Sequence, residues 1–523
     1  MIRQKIKKTI KELTGIEAKV ERQNNTEYGD YSTNLAMVFA KNFKKNPIET
    51  ANLLVEKIKK SDKDIFEKIE VAHPGFINFF ISKEYFQNQI HEILKQGKDF
   101  GKNSLLKDKV NVEFISANPT GPLTLGNGRG GFCGDVLANI LEKSGCRVTR
   151  EYYINDVGEQ IKKLGHSVIG DSNAVYKGDY IYQLRNEIKE KDPEKAGEQA
   201  SKYVLKKMIK PTVKKMGINF DVWSSEKELY KKNEVEKALN SLLRKKLAYR
   251  KDNALWFKSS FFGDDKDRVL IKSNGQFTYL ASDIAYLKNK INRGFDKLIY
   301  FWGADHHGYV KRIESAGRSF GLDSEKIAII VMQLVRLFEG NKEIRMSKRA
   351  GKYFTIDKLI DEVGLDVARF FFLTKSPETH LNFDLRLAKE QSEKNPVYYL
   401  QYAYARISSI LRKTKDEKNL STAKNKKQQI DYKLLSHSSE LRVIRQLIGF
   451  PEVIEDIGKD YQVQKLPQYS IDLAADFHRF YSSCQVLTRD QGLRNARINL
   501  ALATKTVLKN SFDLMGISSP EKM

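Results

Sequence analysis

Between residues 110 and 154 the chain reads "VNVEFISANPTGPLTLGNGRGGFCGDVLANILEKSGCRVTREYYI": an apolar run, a glycine-rich turn, an amphipathic stretch and a second apolar run. The pattern predicts a strand over 110–115, a helix from about 129 to 144 and a strand over 147–154. Two strands joined through a helix lie parallel. Phe132, Val136, Leu137, Ile140 and Leu141 fall on one helical face, and Gly145 stands where a left-handed C-terminal cap belongs. Residues 118–131 hold five glycines and two prolines. Glycine has no Cβ to keep a ligand away, and a helix start leaves backbone N–H groups unpaired, so the junction suits a phosphate. A purely structural tight turn has the same composition, and the turn alone does not decide between them.

The unit recurs. "KLIYFWG" and "KIAIIVMQL" read as further buried strands, which predicts a doubly wound parallel sheet. A chain of 523 residues exceeds one core and suggests roughly three domains. Residues 1–83 read as a small α/β domain, with helical patterns over 2–13 and 47–58 before a strand-like "IEVAHPGFINFFIS". The basic start could pass for a transit peptide, but Glu12, Glu17 and Glu21 arrive early and favour a folded helix. Residues 84–109 read as a linker, 110–384 as the sheet domain with a mostly helical, Lys-rich insertion at about 165–260, and 385–523 as an all-α bundle.

Apolar residues at 41% and charged residues at 30% fit a globular enzyme, and no window nears the ~18 apolar residues of a spanning helix. Cys133, Cys146 and Cys484 are far apart without a Cys-x-x-Cys, which argues against structural zinc and for a reducing compartment. Lys+Arg 91 against Asp+Glu 66 leaves a net charge of +25. A solubilising, lysine-rich surface is one reading; a polyanionic partner is the sharper one, because cations release counterions from a phosphate backbone.

With "FDVWSSEKELY", "FTYLASDIAYL", "YFWGADHHGYVKRI", "IRMSKRAG", "NPVYYLQYAYARISSILRK" and the closing "ARINLALATKTVLKNSFDLMGISSPEKM", the opening stretch resembles the arginyl-tRNA synthetases, a class I family, over nearly the whole chain. The resemblance implies a Rossmann-type catalytic domain, an N-terminal domain touching the tRNA D-loop and a C-terminal helical domain reading the anticodon. It implies a cytoplasmic monomer that uses Mg·ATP, L-arginine and tRNA, with no membrane partner and no metal held by protein ligands.

One departure stands out. Where the family signature reads His-x-Gly-His, this chain has Thr124, Leu125, Gly126 and Asn127. Both replacements keep a hydrogen-bond donor and lose cationic character. Losing a charge-assisted hydrogen bond worth about 1.5–3 kcal/mol outright would slow phosphoryl chemistry about 10–150-fold. A tuned site is the preferred reading, and a chain that only binds RNA is the rival. The second signature resembles "IRMSK": Arg345 stands for its first lysine, Lys348 faces the leaving pyrophosphate, and Met346 and Ser347 lie beside the nucleotide. The resemblance also puts ATP at Pro122, Gly126, Gly128, Gly303 and Asp305.

Arginine selection needs carboxylates set for a planar fork. Resemblance assigns it to Glu113 and Asp283, with Ser116, Asn118, Tyr279 and His306 around them, and no editing domain is required. Taken singly, each of these residues could as well be a turn former or a surface carboxylate. For tRNA it assigns Phe76 and Asn78 to the D-loop, and Tyr399, Arg406, Tyr481 and Met523 to the anticodon loop, where aromatics and cations read unpaired bases. A class I synthetase for another amino acid is the remaining rival; Glu113 with Asp283 counts against it.

Overall fold

The computed structural model describes residues 1–23, 25–61, 65–103, 106–344, 354–420 and 430–523. At its centre is a five-stranded parallel sheet in the order Ile327–Met332, Lys297–Gly303, Lys109–Glu113, Arg147–Ile154, Val222–Ser225. The chain leaves Lys109–Glu113 on one side, through the helix Leu125–Lys143 to Arg147–Ile154, whereas Lys297–Gly303 pairs on the other side. The order therefore reverses between Glu113 and Gly303, and ligands of doubly wound sheets bind at the carboxyl ends beside such a reversal.

Two expectations change here. The helix starts at Leu125, about four residues earlier than its apolar face suggested, so the signature residues belong to its first turn. Gly134 lets the helix lie close to the sheet: a Cβ there would overlap the Phe114 ring. The span 165–260 is also not wholly an insertion. Val222–Ser225 within it is an edge strand of the central sheet, and Ala248–Lys251, Ala254–Phe257 and Arg268–Ile271 form a separate antiparallel sheet. Tyr152, Phe220 and Trp223 pack ring on ring beneath that edge strand, which explains why four residues suffice to hold it.

The N-terminal domain sets the helices Ile2–Thr14, Leu35–Phe43 and Pro47–Ser61 with a four-stranded antiparallel sheet. The single strand expected over "IEVAHPGFINFFIS" is a hairpin, Phe66–Ala72 and Phe76–Ile81, because Pro74 has no N–H to continue a ladder and Gly75 turns the chain at φ +143°. The stretch read as a linker opens with a helix, Lys83–Gln96, capped by Ser82 Oγ accepting from the Tyr85 N–H at 3.2 Å. Phe86, Ile90 and Ile93 give it a buried face, and it packs on Ser438–Ile448 and Gln491–Met515 of the C-terminal bundle. That bundle also comprises Pro396–Leu420, Phe450–Asp460 and Lys465–Ser483.

The two ends of the chain are fastened to each other. Arg3 Nη2 meets Glu455 at 3.0 Å, the Tyr31 hydroxyl donates to Glu452 at 2.9 Å, and Arg445 Nε donates to Asp30 at 2.7 Å. Cys133, Cys146 and Cys484 are buried free thiols. No helix among the described residues is long and apolar enough to cross a membrane.

Candidate active site

The carboxyl end of Lys109–Glu113 feeds a tight turn in which Ile115 and Ser116 have φ of +65° and +35°. This left-handed backbone reverses the chain beside Arg147–Ile154, and Ser116 Oγ accepts from the Tyr153 N–H at 3.0 Å. Asn118 Nδ2 donates to Gln160 at 2.7 Å. The turn then delivers Thr124 to the N-cap of the signature helix. Asn127 Oδ1 accepts from both the Thr124 N–H and its hydroxyl, each at 3.0 Å, so the two replacements of the signature histidines bond each other.

Gly126, between them, is exposed and a Cβ there would meet nothing within 4 Å. Gly128 points the other way: a Cβ would lie 2.5 Å from Ile356 Cδ1, so its smallness serves helix packing rather than ligand approach. Pro122 is half-buried. Arg345, Met346, Ser347 and Lys348 lie outside the described residues. The chain resumes against the signature turn, where Thr355 bridges Thr124 and the Ile356 N–H donates to Leu123 at 3.1 Å. On the facing strand end, Gly303, Asp305 and His306 are exposed; the His306 ring lies 3.7 Å from the Asp305 carboxylate and 6.0 Å from the Trp302 ring.

Beside these strand ends acidic side chains gather among tyrosines. Asp283, in the second turn of the helix Tyr279–Asn292, accepts from the Tyr309 hydroxyl at 2.6 Å. Burial pushes its carboxyl up to about 6 against the pull of Tyr309, and the like charge of Glu113 adds to the rise. Glu226, which opens the helix after Val222–Ser225, is pushed up to about 7 by burial, with Asp283 and Asp156 contributing like charge. Asp156 is held by the Ser225 hydroxyl at 2.7 Å and the Lys227 N–H at 2.9 Å. Tyr153 stacks on Tyr286 at 4.2 Å along one wall, and Tyr279, 56% exposed, stands one turn before Asp283.

Glu113 and Asp283 are thus brought together, but Glu113 is not a free receptor. Its Oε2 is bonded at 2.5 Å by the ammonium of Lys290, a fully buried lysine on the same helix as Asp283. Beneath it Glu151 takes hydrogen bonds from Tyr286 (2.8 Å), Arg293 (2.7 Å) and Asn111 (2.6 Å). Glu226, Lys290 and Tyr309 were not singled out from sequence. Glu226 and Tyr309 sat inside stretches that carried the resemblance and Lys290 just past one, but their partners are far away in the chain.

At the ends of the molecule, Phe76 is 38% exposed at the hairpin, whereas Asn78 is buried within that sheet at 6%. The structure brings only the first to the surface. In the bundle the Arg406 guanidinium lies 4.5 Å from the Tyr402 ring and 4.9 Å from the Tyr481 ring. Tyr399 packs on His478 at 4.9 Å, and burial with the adjacent Arg406 holds that imidazole down at about 4. Tyr481 and Met523 are exposed at 40% and 54%. A cation framed by rings on a solvent face suits unpaired bases.

Three family profiles tile the chain: arginyl tRNA synthetase N terminal domain over 1–81, tRNA synthetases class I (R) catalytic domain over 89–170 and 170–382, and DALR anticodon binding domain over 400–523. Arginine–tRNA ligase of Caldanaerobacter subterraneus subsp. tengcongensis is 44% identical, covering 97% of this chain and 94% of that one. The enzyme of the same name from Carboxydothermus hydrogenoformans is 43% identical over 96% and 94%. The Thermus thermophilus arginyl-tRNA synthetase structure superposes with a TM-score of 0.80 over the full length of both chains at 21% identity, a likeness of fold. With the sheet reversal, the signature turn and all three profiles in register, the chain belongs to the arginyl-tRNA synthetase family of class I.

Proposed function

We infer that this chain is an arginine–tRNA ligase. The arginine carboxylate attacks the α-phosphorus of ATP in line, pyrophosphate leaves, and arginyl-adenylate forms; a terminal ribose hydroxyl of the tRNA then takes the arginyl group and AMP departs. Neither step needs a protein nucleophile, so the residues act by position and charge. The observation that carries the reading is the convergence of Glu113, Glu226 and Asp283 beside the sheet reversal. Three acids around tyrosine hydroxyls match a planar cation with five fixed donors better than any neutral side chain.

In this reading Glu226 and Asp283 take the guanidinium fork with Glu113 as a further acceptor, and Tyr279 closes over it. Ser116 and Asn118 orient the substrate's own amino and carboxylate groups, and His306 borders them. The Asn127 amide N–H offers a neutral donor to the phosphates over Gly126 while Thr124 holds its direction, Gly303 and Asp305 flank the ribose, and ATP comes with its Mg2+ as substrate. Lys348 and Arg345 neutralise the departing pyrophosphate, with Met346 and Ser347 beside the nucleotide. Phe76 meets the tRNA at one end, and Tyr399, Arg406, Tyr481 and Met523 at the other. The enzyme works as a cytoplasmic monomer.

Arginine-dependent exchange of pyrophosphate into ATP, with and without tRNA, tests it. Lys348→Ala should lower exchange about a hundredfold, the scale of one lost transition-state contact. No exchange with arginine under any condition would refute the reading and favour a chain that only binds RNA.

A further inference from the structure

We propose that Lys290 is a positioning residue for arginine recognition: its ammonium occupies Oε2 of Glu113 and fixes the direction of that carboxylate, so that a single oxygen is left for the substrate. The inference deepens the proposed function and rests on the reading that Glu113 belongs to the arginine pocket.

Lys290 is 0% exposed and bonds Glu113 at 2.5 Å. It is the donor that Glu113 has among the described residues. The ammonium is enclosed by two rings, 4.1 Å from the Tyr300 centroid and 4.6 Å from that of Tyr286. Rings on both sides attract the cation and leave it little choice of direction.

Stability alone is a poor reason for such a pair. Desolvating two ions costs about as much as their attraction returns, and apolar replacements of similar volume are often neutral or better. Its location supplies another reason. Lys290 follows Asp283 by seven residues on one helix, two turns along the same face. One rigid element therefore sets both an acid that meets the substrate and the cation that turns the other acid.

The surroundings explain why that cation is needed. Around Glu113 stand Asp283, Tyr286 and Lys290 from the helix Tyr279–Asn292, Glu151 and Tyr153 from one neighbouring strand, and Tyr300 from the other, with Arg293 beyond Glu151. Arg293 is engaged by Glu151, leaving Lys290 as the cation on Glu113 itself. Without it, Glu113 Oε2 would be a buried acceptor with no donor, and the carboxylate would be free to turn away from a guanidinium.

The test is steady-state aminoacylation by the full-length chain at pH 7.5, reading KM for arginine, KM for ATP and kcat separately. Lys290→Met should raise KM for arginine about tenfold or more at pH 7.5, the weight of a hydrogen bond to a charged group, while KM for ATP moves less than about twofold. Lys290→Arg should restore most of the affinity. Should Lys290→Met fail to fold, the double variant Glu113→Gln/Lys290→Met removes both charges, and its arginine KM should equal that of Glu113→Gln alone. Additive losses in the double variant would overturn the proposal. So would an unchanged arginine KM in Lys290→Met together with a raised one in Glu113→Gln. An unchanged KM in Glu113→Gln overturns the pocket reading instead, and the proposal with it.

Discussion

Arginine binding should be steeply pH-dependent, because the two acids proposed to meet its guanidinium are raised toward neutrality by burial. Burial sets the Asp283 carboxyl at about 6 and that of Glu226 at about 7. A guanidinium pairs with both only when both are ionised. At pH 6 about half of Asp283 and about a tenth of Glu226 are charged, so about one molecule in twenty is competent. At pH 8 about nine in ten are. Affinity for arginine should therefore rise about twentyfold from pH 6 to pH 8, with the two acids titrating as a pair. Binding at pH 6 should expel about 1.4 protons per arginine, and at pH 8 about 0.1. Calorimetric titrations of the full-length chain in two buffers of different ionisation enthalpy read both quantities.

Glu226→Gln retains the shape and removes the higher of the two titrations, so the same pH change should then alter affinity only about twofold. The sign for stability runs oppositely. Carboxyls raised in the folded state stabilise it most fully below their ordinary values near pH 4, and that contribution is lost as pH rises through about 6 and 7. Arginine should offset the loss. An affinity flat between pH 6 and 8, with no buffer-dependent heat, would refute the assignment of these two acids to the substrate.

Two further perturbations test the framework around the pocket. Arg369, 1% exposed, donates to Met515 O at 2.8 Å and Met216 O at 2.7 Å and pairs with Asp135, so it ties the signature helix to both the insertion and the last helix. Arg369→Met leaves Asp135 buried with its main partner gone and should cost about 3–5 kcal/mol in urea unfolding, while a loss under about 1 kcal/mol would contradict that role. Tyr481→Ala removes one ring from Arg406 and should raise KM for tRNA about tenfold, the weight of one stacked base, with KM for arginine unchanged; a shift in arginine KM instead would move Tyr481 out of the RNA surface.

What could be read in the sequence follows from the distance over which each determinant acts. "KLIYFWG" is a strand because its residues are apolar on both faces, and the run before the signature turn because Val110 and Val112 fill one face while Asn111 and Glu113 alternate onto the other; both are strands in the structure. The start of the signature helix was hidden because its glycines disfavour a helix locally; only Ile356, on a helix far along the chain, gives a reason for Gly128 to be there. The helix Lys83–Gln96 was passed over for its polar flanks, although its apolar face had the right spacing, and Val222–Ser225 was too short to announce a strand. In the pocket the acids were legible one at a time, but whether Glu113 is free depends on a lysine 177 residues away.

The exchanged signature residues show the same limit in the other direction. As letters, Thr124 and Asn127 mark the loss of two imidazoles. In place they occupy the N-cap and third positions of a helix, and Asn127 Oδ1 accepts from both the backbone and the hydroxyl of Thr124. With its oxygen committed to Thr124, the Asn127 amide must turn its N–H donors elsewhere, and neutral donors fixed by a cap need no imidazole charge to hold their direction. The direction of those donors is set by placement, and placement is a property of the fold that a motif comparison does not display.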